Sequence, residues 1–78
     1  MSQDEQVINK ITSLIEDAYN PRETRKIIDE EFPNYDNSKL KALIPLVLAK
    51  FDKKKQAALK KMQFFKYFMI GEDKIKKG

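Results

Sequence analysis

Apolar residues in this chain recur at intervals of three and four, and that spacing commits almost the whole sequence to helices. Val7, Ile8, Ile11, Leu14, Ile15 and Ala18 draw one stripe, which predicts an amphipathic helix over about residues 4–18. Asn20, Pro21 and Glu23 then follow in the order of an N-cap, a first-position proline and a capping-box acid, so a second helix starts at Pro21. Its apolar positions are Ile27, Ile28 and Phe32. Pro33 stops it near residue 32, because the residue before a proline is pushed away from helical angles.

A third helix opens near Asn37 or Ser38 and carries Leu40, Leu43, Ile44, Val47, Leu48 and Phe51 on one face. Pro45 lies inside it and predicts a bend. From Asp52 to about residue 70, Ala57, Ala58, Leu59, Met62, Phe65 and Met69 keep helical spacing among lysines. This fourth segment either continues the third or turns at Phe51–Asp52, where Asp52 can act as a new cap. Gly71 is expected to end it and residues 71–78 to fray. The expected fold is all-α: one domain spanning residues 1–78, a small three- to four-helix bundle with a long or kinked C-terminal helical region. A chain this short buries only about 60 to 65% of its extended surface, so stability should be marginal.

Charge divides the chain in two. Residues 1–37 hold nine Asp/Glu against four Lys/Arg, a net of −5, whereas residues 38–78 hold twelve lysines against three acids, a net of +9. Such polarity suits a basic half that meets a polyanion, an acidic protein or an anionic surface. Contact of the acidic half of one copy with the basic half of another is a further consequence.

Cysteine and histidine are both absent, which removes disulfides, thiolate chemistry, the usual zinc, copper and haem sites, and the commonest neutral-pH general base. Neighbouring acids such as Glu16 and Asp17, or Asp29, Glu30 and Glu31, diverge by about 100° per residue on a helix and do not converge on a substrate. No Gly-rich phosphate loop or calcium loop occurs. No enzyme activity and no cofactor is therefore expected. The acidic start and the lack of a long uncharged run argue against a signal peptide or membrane span, and the expected location is the cytoplasm, or the nucleus in a eukaryote.

Two sets of residues are candidates for function. If residues 50–66 form a single helix, Lys50, Lys53, Lys54, Lys60 and Lys61 share one broad face, with Lys39 and Lys41 widening the footprint; such a face can neutralise phosphates. The bland alternative is a solvated face. No arginine occurs after residue 37, and arginine is the favoured reader of guanine and phosphate, so the expected partner is DNA or RNA held through its backbone with weak sequence preference. The helix, turn, helix spacing of residues 21–51 is loosely like that of DNA-binding helical units, but the turn is longer, lacks Gly, and is followed by a helix offering outward only Lys39, Lys41 and Lys50.

The second set is the stretch Phe64 to Ile70. Its apolar residues cannot share one helical face, so something covers them: the chain's own core, a second copy, or a partner. Phe64, Phe65, Tyr67, Phe68 and Met69 are the interface candidates. The leading expectation is a non-enzymatic nucleic-acid-binding or nucleoprotein accessory protein, monomer or homodimer. The alternative is a protein-interaction module, such as an adaptor, inhibitor or assembly factor of the kind viruses and mobile elements encode, using the aromatic cluster as its hot spot.

Overall fold

The computed structural model describes the backbone of residues 2–75 and the side chains of residues 2–70. It is all-helical, with five helices: α1 (Gln3–Glu16), α2 (Pro21–Glu31), α3 (Asn37–Leu48), α4 (Lys53–Lys61) and α5 (Phe64–Ile75). No helix among the described residues is long and apolar enough to cross a membrane.

Caps explain most of the helix starts. Ser2 accepts from the Glu5 amide at 3.2 Å and Asn20 from the Glu23 amide at 2.8 Å. α3 is capped by Asp36, one residue earlier than expected, with its carboxylate taking the Ser38 amide at 3.3 Å and the Ser38 hydroxyl at 3.0 Å. Asp52 caps α4 by accepting from the Lys55 amide at 2.8 Å. Each such cap is worth about 1 kcal/mol against alanine.

The ends of the helices differ from the sequence expectation. α1 stops at Glu16, and Ala18, expected on its apolar stripe, is exposed with φ at 69°. Its amide donates to the Ile15 carbonyl while that of Tyr19 donates to Leu14, a Schellman closure built without glycine. The expected fourth helix is two helices, because Gln63 also adopts a left-handed conformation, φ 57°, just after the Met62 cap. α3 continues past Pro45 to Leu48. Pro45 is exposed, so the partner its missing N–H would have had lies on the water side of the helix, where solvent can replace it. Gly71 does not end α5, which runs on to Ile75; the rest of the expected frayed tail, residues 76–78, lies outside the described residues.

The core combines Val7, Ile11, Leu14 and Ile15 from α1, Ile28 from α2, Leu40, Leu43 and Val47 from α3, Leu59 from α4, and Phe64 and Phe68 from α5. A fully buried aliphatic or aromatic side chain of this kind contributes about 1.5–3 kcal/mol. α2 and α5 make the most extensive helix pairing; α1 packs on α2 and α3, α3 also meets α5, and α4 rests on α5. Thr24 of α2 is fully buried, and its hydroxyl has no hydrogen-bond partner among the described residues.

Polar contacts fasten this arrangement at two places. Arg25 of α2, whose side chain is 15% exposed, donates from Nη1 to the Phe68 carbonyl at 3.0 Å, from Nη2 to Asn37 Oδ1 at 2.7 Å and from Nε to Asp29 Oδ1 at 2.9 Å. Its guanidinium also lies 5.6 Å from the centre of the Phe68 ring. At the other place, Tyr35 in the α2–α3 turn donates its hydroxyl to Asp4 of α1 at 2.5 Å. Burial first, then the hydrogen bond to Asp4 and the charge of that carboxylate, push the Tyr35 phenol from 10.0 up to about 12.

Two outcomes follow. Ala18→Gly removes the left-handed penalty of a β-carbon and raises stability by about 0.5–1 kcal/mol in denaturant melts, whereas Ala18→Val lowers it. For Tyr35, the folded state holds the phenolic proton more tightly than the unfolded chain. Its contribution is complete below pH 10 and is lost as pH rises from 10.0 toward about 12. The stability gap between the wild type and Tyr35→Phe, followed by thermal melts, therefore shrinks or reverses over that window and is constant below it.

Candidate nucleic-acid interface

α4 is a short helix of good helix formers, with Ala57 and Ala58 among glutamine and lysines. Leu59, 2% exposed, is its only buried residue and anchors it to the core. At 100° per residue, Lys53, Lys54, Lys60 and Lys61 fall within an arc of about 120° on the side opposite Leu59. All four are exposed. The pairs 53/54 and 60/61 are about 10 Å apart along the axis, with the small side chain of Ala57 between them.

The single helix on which a shared face of Lys50, Lys53, Lys54, Lys60 and Lys61 depended is not formed, because Asp52 and Gln63 bound α4 on either side. Lys50 lies instead in the connection between α3 and α4, which is closed by hydrogen bonds from the Lys50 amide to Val47 and from the Phe51 amide to Leu48, both at 3.0 Å. Lys39 and Lys41 sit near the start of α3, roughly 13 Å or more of helix rise before Lys50. Lys39 is exposed but has its Nζ 5.7 Å from the Tyr35 ring centre. The coherent part of the predicted footprint is therefore the outer face of α4.

The helices differ in the charge of their first turns, which hold acids in α1 and α2 and none in α3, α4 and α5. α1 and α2 place acids in their first turns, Asp4 and Glu5 in one and Glu23 in the other, where the positive end of the helix dipole favours them. α4 places Lys53, Lys54 and Lys55 there, where each exposed charge is opposed by about 0.3–1 kcal/mol, and the acid at this helix end is the cap itself, Asp52. The ion pairs among the described residues are Lys10–Glu31 at 3.5 Å and Arg25–Asp29 at 2.9 Å. Neither involves a lysine of the C-terminal half.

The aromatic set is placed differently from an exposed hot spot. Phe64 and Phe68 are 1% and 0% exposed and belong to the core, because α2 and α4 both pack on α5. Phe65 makes edge-to-face contacts with both, at centroid distances of 5.1 and 6.1 Å, and is half-buried, as is Met69. Of the five, only Tyr67 is exposed. A partner reaching Phe64 or Phe68 would have to open the fold.

Comparison with known protein families, curated proteins and solved structures finds no match.

Truncating the aromatic residues separates core from surface. Phe68→Ala should cost about 3–5 kcal/mol, most of the stability of a domain this small, and appear as loss of the helical circular-dichroism signal or a steep fall in Tm. Tyr67→Ala should stay within about 0.5 kcal/mol of the wild type.

Proposed function

We propose that this chain is a small nucleic-acid-binding protein, without catalytic activity, that lays the outer face of α4 along a phosphate backbone. The observation that carries the reading is the α4 face itself: four exposed lysines opposite the buried Leu59. Phosphates along that face would be attracted by the ammonium groups, while the end of the helix is taken by the Asp52 carboxylate. The net charge of −5 over residues 1–37 repels polyanions from the N-terminal half and so orients the approach.

Lysine offers point charges rather than the planar fork of arginine, so affinity comes from backbone contacts and sequence preference is weak. Lys50 lies next to α4 in sequence and extends the field; Lys39 and Lys41 contribute at longer range. The binding would take place in the cytoplasm, or in the nucleus of a eukaryotic cell.

Neutralising four phosphates of duplex DNA releases counterions with a log–log salt slope of about −3.6. Fluorescence anisotropy of a labelled duplex should show that slope between about 50 and 200 mM salt. Charge reversal of Lys53, Lys54, Lys60 and Lys61 to Glu should abolish binding with the helical signal retained. Binding that survives in the quadruple variant, or that is independent of salt, would sink the reading.

A further inference from the structure

The fold covers little of α4. Leu59 is its buried residue, and the half-buried Gln56 beside it donates from Nε2 to the Phe51 carbonyl at 2.8 Å. Lys53, Lys54, Ala57, Ala58, Lys60 and Lys61 are all exposed, and at 100° per residue they span about 160° of the helix circumference. Close to half of the cylinder is therefore open to a partner.

The lysines are ordered within that arc. Lys53 and Lys60 are seven residues apart, as are Lys54 and Lys61, so each pair lines up along the axis and the four form two rows about 100° apart. On a helix about 10–12 Å across with its side chains, the rows stand roughly 8–9 Å from each other and point away from one another. Ala57 lies midway between them. A single strand offers one row of phosphates, whereas a duplex groove has a row on each side. The major groove of B-form DNA, about 12 Å wide, admits a helix, and the minor groove, about 6 Å wide, does not. The major groove of double-stranded RNA is deep and too narrow to be entered. Sequence-tolerant binding of single strands draws on bases stacked against aromatic rings. α4 carries no aromatic residue, and the exposed rings of Tyr19 and Tyr67 lie outside it.

We propose that α4 enters the major groove of duplex DNA, with Ala57 toward the base edges, Lys53 and Lys60 on one phosphate wall and Lys54 and Lys61 on the other. This rests on the phosphate-binding reading of α4 and adds to it the class of nucleic acid. At about 1.5 Å per residue the helix is long enough to follow roughly four base pairs. The methyl group of Ala57 forms no hydrogen bond to a base, so entry into the groove leaves sequence preference weak.

The test is fluorescence anisotropy of the full chain at about 50 mM salt with four labelled probes of one sequence and length. They are duplex DNA, duplex RNA, single-stranded DNA, and a DNA duplex whose cytosines carry neutral glucosylated hydroxymethyl groups, which fill the major groove without changing the phosphate charge. Plain duplex DNA should bind about tenfold or more tightly than each of the other three. Duplex RNA, groove-filled DNA or a single strand bound as tightly as plain duplex DNA would overturn the groove assignment and leave the lysine face as a binder of phosphates. Binding to none of the four probes would overturn both readings.

Discussion

The pairing of α2 with α5 is the contact on which the rest of the molecule depends, and Arg25 is its polar centre. α5 brings Phe64 and Phe68 into the core, and α4 reaches the body of the protein by resting on α5. The position of the lysine face is thus inherited from how firmly α5 is held. Packing supplies most of that hold, while a guanidinium spread over the Phe68 ring and bonded to a main-chain carbonyl, an amide side chain and a carboxylate adds direction. Hydrogen bonds from a charged donor contribute about 1.5–3 kcal/mol each when well buried and less where water reaches them. Lysine, with one compact ammonium group, could not serve these partners together.

Much of this architecture was legible in the sequence because its signals are local. The stripe from Val7 to Ile15 and the Leu40, Leu43 and Val47 set entered the core as their spacing implied, and Asn20–Pro21–Glu23 capped α2 in the expected way. The breaks were harder to read. Ala18 and Gln63 both close helices in left-handed conformations without the glycine that normally marks such a stop. Gly71, the glycine whose position predicts a stop, lies within α5. Composition therefore pointed to the wrong residue.

Arg25 was invisible for a different reason. Its carbonyl partner lies 43 residues away and leaves no side-chain signature, so nothing near Arg25 in the sequence announces it. Thr24 likewise reads as a polar position and is fully buried. The lysine pattern was readable as charge but not as shape. The shared face of Lys50, Lys53, Lys54, Lys60 and Lys61 assumed one helix over residues 50–66, and Asp52 and Gln63 delimit a shorter α4 that carries four of them. The aromatic run shows the converse, since a stretch too apolar for one helix face is covered mainly by the protein's own α2 and α4.

The polyanion binding proposed for this protein belongs to the outer face of α4. It is tested most directly by titrating the isotopically labelled chain with a short duplex and following backbone amide shifts by NMR. The largest changes should fall on residues 52–61, with smaller ones near Lys50, and α1 and α2 should be quiet. Changes centred on α1 or the start of α3, or no changes at low salt, would contradict that assignment.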